Sequence, residues 1–110
     1  MRTVRVLEYL DTKGRSPYAA WFEGLSADAA AKVAAALYRI AEGNFSNVKS
    51  VGSGVLERKI DFGPGYRIYF GRDGDSLVIL LGGSSKQRQG QAITMAADHW
   101  ADYKRRKGLG

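Results

Sequence analysis

The 110-residue chain has no cysteine, two prolines and a single histidine, His99. Without thiols there is no disulfide, no thiolate metal ligand and no cysteine nucleophile. The lack also fits a reducing, cytoplasmic setting. No apolar run approaches the roughly 20 residues that a membrane-spanning helix requires. The N-terminal residues alternate charge with β-branched side chains, which is not the pattern of a signal peptide, so no membrane association is expected. No group of His, Asp and Glu has metal-ligand spacing, and neither a metal nor another cofactor is expected. A lone histidine on a helical stretch, as His99 is, more often lies on the surface than in a catalytic site.

What remains is apolar enough to fold and basic enough to attract polyanions. Hydrophobic residues make up 45% of the chain and the formal net charge is +6. The length suits one domain, residues 1–110, with one core. A compact domain with such an excess of cations steers nucleic acid toward itself, although a merely basic, solvated surface has the same composition.

Residues 3–10 alternate as a strand, with Val4 and Val6 on one side and Arg5, Leu7 and Tyr9 on the other. Ser16-Pro17 opens a helix, since serine caps and proline suits the first helical position. Tyr18, Trp21, Phe22 and Leu25 follow at helical spacing. Ser26 starts a second helix, whose Ala30, Val33, Leu37 and Ile40 form one stripe and which Gly43 closes. Residues 44–54, rich in Gly, Ser and Asn, read as a loop. Strands are expected at 55–62, 66–71 and 77–81, separated by Gly63-Pro64-Gly65 and the hairpin signal Asp73-Gly74. The last of these is apolar on both faces and reads as the central strand. A helix over 89–107 places Ile93, Ala96, Ala97 and Trp100 on one side.

The expected fold is therefore α+β: an N-terminal strand, a helical hairpin, a three-stranded antiparallel meander and a C-terminal helix. The helices are expected on one face of the sheet. Strand alternation then sets Lys59, Arg67 and Tyr69 together on the other face, with Lys86 just beyond the last strand. Three cations on one face repel one another unless an anion binds, and a phosphodiester suits them. Arginine grips two phosphate oxygens while lysine acts as a point charge. Tyr66 or Tyr69 would stack on a base. The competing reading is a solvated face with snorkelling stems. The basic run Lys104-Arg105-Arg106-Lys107 reads as a helix end complementing the dipole rather than as a phosphate contact.

The stretch from Gly54 to Phe70, and above all Gly63-Pro64-Gly65-Tyr66-Arg67, resembles the RelE/ParE superfamily of toxins, in its addiction-module killer branch, often called HigB-type. Gly43-Asn44-Phe45 with Val48-Lys49, Leu80-Leu81-Gly82-Gly83 with Lys86, and Trp21-Phe22 agree in order and spacing. The resemblance implies the fold just described and a cognate antitoxin as partner. It further implies an endoribonuclease acting on mRNA with the ribosome, or alternatively a DNA gyrase inhibitor or an inactive antitoxin-binding remnant. Arg67 matches the phosphate-contacting arginine, Lys59 a basic catalytic position, and Lys86 a basic position after the last strand. Lys49, Arg58 and Arg88, with Tyr66 and Tyr69, complete the expected RNA-binding set. Two departures stand out. Leu-Arg is common in the family where this chain has Arg58-Lys59, and the C-terminal Tyr or His of some nucleases has no clear match. Glu57 is either a base or an ion-pair partner of Lys59 or Arg58.

Overall fold

A computed structural model describes residues 3–108. Its elements are β1 (Arg5–Glu8), α1 (Pro17–Glu23), α2 (Ala27–Ala41), β2 (Val48–Ser50), β3 (Leu56–Ile60), β4 (Tyr66–Arg72), β5 (Leu77–Ser85), a 3-10 turn (Lys86–Arg88) and α3 (Gln89–Arg106). The fold is α+β, with one five-stranded mixed sheet ordered β1-β5-β4-β3-β2. Strand β1 runs parallel to β5 and every other pairing is antiparallel.

Local chemistry sets the helix ends. Ser16 Oγ accepts from the Ala19 N–H at 3.0 Å and Ser26 Oγ from the Ala29 N–H at 3.2 Å, so each serine satisfies an orphan donor of the first turn. Gly43 adopts φ 89° immediately after α2, a left-handed conformation that costs glycine little. The α2 stripe that reaches the core is Ala29, Val33, Ala36 and Ile40. Leu37 and Trp21 are only half-buried at its margin.

Three expectations are corrected. First, the helices do not share one face. Helices α1 and α2 cover Ile60, Ile68, Phe70, Val78 and Leu80, whereas α3 covers Tyr69, Ile79 and Leu81 from the other side through Ala96 and Trp100. An amphipathic helix reveals that it has an apolar face but not which side of a sheet receives it. Second, the segment expected as a loop at 44–54 contains β2, whose three residues pair with β3. Third, β5 continues to Ser85, and β4 rather than β5 is central in strand order, although β5 is buried on both faces.

The extension of β5 contains a bulge. Tyr69 pairs with Gly82 but Phe70 with Leu80, so Leu81 is an extra residue. Without it, Gly83 would stand opposite Arg67; with it, Ser84 does. Gly83 instead faces Trp21, so close that an added Cβ would lie 2.3 Å from the indole. On the other face Trp100 lies on Gly71 in the same way, with an added Cβ at 2.5 Å. One tryptophan is thus seated on a strand glycine on each face of the sheet.

Candidate functional site

The antiparallel register sets Lys59 directly opposite Arg67, and Arg67 opposite Ser84. Cross-strand partners share a face, so the expected juxtaposition of Lys59 and Arg67 is present. Lys86 joins them because its N–H donates to the Gly65 carbonyl at 2.9 Å, which fixes the end of β5 against the Gly63-Pro64-Gly65 turn. Gly63 and Gly65 have φ 55° and 83°. A Cβ on Gly65 would lie 3.6 Å from Arg67 Nη1, so glycine leaves the turn close to the guanidinium. The three cations, the turn, Asp61 and Phe62 line a cleft of about 330 Å³.

Within it the cations differ. The Lys59 side chain is 54% exposed, with Nζ 3.5 Å from Asp61 Oδ1. Lys86 is exposed and has no acidic partner among the described residues. Arg67 is buried, its side chain only 7% exposed. Its Nε and Nη1 have no hydrogen-bond partner among the described residues. It is paired with Glu57, itself 1% exposed, with Oε2 at 3.7 Å from Nε, an ion-pair contact too long for a hydrogen bond. The same Oε2 accepts from Gln89 Nε2 at 2.8 Å, and Lys49 Nζ stands 3.8 Å from Oε1. Glu57 is therefore the partner of Arg67 and Lys49, not of Lys59 or Arg58. A buried guanidinium with free donors beside two exposed lysines is suited to a multiply oxygenated anion.

The remaining expected RNA contacts separate. Tyr69 is completely buried under α3, and its hydroxyl is 3.0 Å from Ser84 Oγ. Burial, more than any neighbour, pushes that phenol above its ordinary value. No base can reach the ring, which corrects its expected stacking role. Arg58 is corrected likewise. It projects to the α2 side, is buried, and donates from Nη1 to the Ser46 carbonyl at 3.3 Å. Burial first and Arg39 second lower its pKa. Strand alternation gives Arg58 and Lys59 opposite faces, a consequence of their adjacency. Tyr66 is also on the α1 side, half-buried and edge-on to Trp21 at 6.4 Å between ring centres. Arg88 is exposed and lines a second groove with Trp21 and Tyr66. Lys49 remains on the Arg67 face, exposed and set on Glu57.

Gln89 and Ser84 belong to the site but carry no sequence signal. Gln89 enters through the start of α3, and Ser84 through a bulge that alternation does not announce. His99 is remote from the cleft, stacked on Tyr9 at 4.9 Å, with its pKa lowered mainly by burial. The basic C-terminal run is engaged within the molecule. Arg105 and Arg106 pair with Asp102, Lys107 pairs with Asp73, and Lys104 lies over the Trp100 ring.

No family model matches the chain. Over 68 residues it is 44% identical to an uncharacterized protein of Haemophilus influenzae, an alignment covering 62% of this chain and 69% of that protein.

Proposed function

The chain belongs to the same family as that Haemophilus influenzae protein, and we propose that it is a RelE/ParE-type toxin that cleaves RNA in the Lys59–Arg67–Lys86 cleft. One observation carries the reading: Arg67 is buried at the cleft with Nε and Nη1 unpartnered. Leaving such donors unmet costs about 1–3 kcal/mol, a cost removed when the guanidinium turns into the cleft and meets a phosphate oxygen. The five-stranded sheet with a helical pair on one face supports the toxin fold, and the Gly63-Pro64-Gly65-Tyr66-Arg67 resemblance supports the class.

In this reading the substrate is a phosphodiester with an adjacent ribose 2′-hydroxyl. Lys59, in its neutral form, takes the 2′-hydroxyl proton. The 2′-oxygen attacks phosphorus in line, a P–O2′ bond forms and the P–O5′ bond breaks. The products are a 2′,3′-cyclic phosphate and a 5′-hydroxyl, whose proton comes from solvent. Arg67 and Lys86 hold the extra negative charge of the phosphorane. Glu57 and Gln89 stand behind Arg67 and position it. DNA, without the 2′-hydroxyl, is not cut. A single base beside fixed cations suits an enzyme that gains its substrate alignment from the ribosome. The partner that neutralises the toxin in the cytoplasm is a cognate antitoxin, acidic where it meets the cleft.

The test is to map mRNA 5′ ends after brief induction of the wild type and of Arg67→Ala. New ends that vanish in the variant are expected. Intact mRNA with gyrase-dependent DNA breaks would overturn the nuclease assignment. Neither effect, in folded protein free of antitoxin, would point to a remnant without activity.

A further inference from the structure

Tyr66 and Arg67 are consecutive on β4 and therefore project to opposite sides of the sheet. Arg67 enters the cationic cleft. Tyr66 enters a second groove of about 450 Å³ between α1 and the start of α3, lined also by Trp21, Ser85, Arg88, Gln91 and Met95. The two hollows meet at the Ser85-Lys86 junction, which contributes Lys86 to one and Ser85 to the other.

We propose that this second groove is a nucleobase subsite, which receives the base adjoining the phosphodiester held by Arg67. The inference rests on the phosphodiester reading above and names a specificity element for it. Trp21 and Tyr66 supply partly exposed aromatic rings. Trp21 is held in place by its seat on Gly83, and Met95, which also lines the groove, is 50% exposed. Rings of this kind stack on bases of any sequence. The rim is polar, with Arg88 and Gln91 both exposed. Their donors can read a base edge, and Gln91 can also accept. The ring pair, the edge-reading rim and the adjoining anion cleft favour a nucleotide over an apolar protein segment. A protein docked there would place Arg88 and the nearby Lys86 against its apolar surface.

The experiment uses the full chain labelled with ¹⁵N. Its probes are dimethyl phosphate, which is one phosphodiester without bases, and a 2′-O-methyl adenylate dinucleotide, which is one phosphodiester with bases and cannot be cleaved. The signals followed are the Arg67 Nε–H and the Trp21 indole N–H, with the indole of buried Trp100 as internal reference. Dimethyl phosphate should move Arg67 alone. The dinucleotide should move Arg67 and Trp21 and bind about tenfold tighter. Tyr66→Leu and Arg88→Ala should each cut that gain to under about threefold. Equal affinities with an unmoved Trp21 overturn the base subsite while leaving the phosphate cleft intact. A dinucleotide that moves Trp21 but not Arg67 overturns the phosphate cleft, and with it the placement of the base beside that phosphodiester. Silence of both residues overturns both. Movement of Trp21 by a purified partner protein, with none by the dinucleotide, makes the groove a protein dock and overturns the proposal.

Discussion

Glu57 Oε2 lies 3.7 Å from Arg67 Nε and 2.8 Å from Gln89 Nε2, so one buried carboxylate joins β3 to β4 and to the first residue of α3. The position of the guanidinium thus depends on a β-hairpin and on the start of a helix some way along the chain. Glu57 sits at ion-pair distance from Arg67 without accepting from Nε, and Nε and Nη1 stay buried with no hydrogen-bond partner among the described residues.

Removing that counter-charge should be costly. Glu57→Gln leaves the Arg67 charge buried without its anion, and a loss of about 3 kcal/mol in denaturant unfolding is expected. Adding Arg67→Met to the same chain should recover most of it, because an apolar side chain of similar length has no charge to desolvate. A Glu57→Gln loss under about 0.5 kcal/mol would show that Glu57 is not the counter-charge of Arg67.

If the free donors of Arg67 bind phosphate oxygens, inorganic phosphate should stabilise the fold. At ten times its dissociation constant a ligand adds about 1.4 kcal/mol, enough to raise Tm by several degrees in a chain of this size. The comparison is with chloride at equal ionic strength. The increment should disappear in Arg67→Ala and stay small in Arg67→Lys, which keeps the charge but not the planar fork of donors. An increment of full size in Arg67→Ala would move the anion site elsewhere on the basic surface.

Much of this cleft is legible in the sequence, and the reason is alternation. Register with period two sets Lys59 and Arg67 on one face whichever helix covers it. The same rule separates Arg58 from Lys59 and Tyr66 from Arg67, so these four cannot all meet one stretch of RNA on one face. Tyr69 does share the face of Arg67, but its burial depends on α3, whose side of the sheet no local pattern states. A hint is present in β5, apolar on both faces at 77–81, since a strand with two apolar faces needs cover on both. Strand β2 is silent in the sequence because three residues among Gly, Ser and Asn are too few to show a period. The bulge at Leu81 is illegible for a different reason: it is a property of pairing, not of either strand alone.

The bulge makes its own prediction through Gly83. An added Cβ there would lie 2.3 Å from Cε3 of Trp21, and the indole is not a flexible end that can step aside. Gly83→Ala should therefore displace Trp21 and cost about 1–3 kcal/mol as overpacking. Gly74→Ala is the contrast: nothing lies within 4 Å of its added Cβ, so its cost is only backbone strain at φ 74°. Chemical shift change at the Trp21 indole in Gly83→Ala, with none in Gly74→Ala, is the expected signature. An unmoved Trp21 signal in Gly83→Ala would reject the tight seating.

The last prediction concerns pH and the one histidine. His99 stacks on Tyr9, and burial lowers its pKa from 6.5 against the opposing pull of Asp98, Asp102 and Asp11. Arg106 lies over the Tyr9 ring and is held by Asp102. Well above pH 6.5 the imidazole is neutral in both folded and unfolded chains, so it adds no pH dependence there. As pH falls below 6.5 the unfolded chain takes up a proton that the folded chain resists. Stability must then decline until the lowered folded pKa is passed, and it levels off below that point. His99→Gln has no such proton to gain. In urea unfolding between pH 7.5 and 5 the wild type should lose stability faster than His99→Gln, with the two curves parallel above pH 7. Curves parallel over the whole range would mean that His99 is as solvated in the folded protein as in the unfolded chain, and the Tyr9–His99 stack would have to be abandoned as a buried contact.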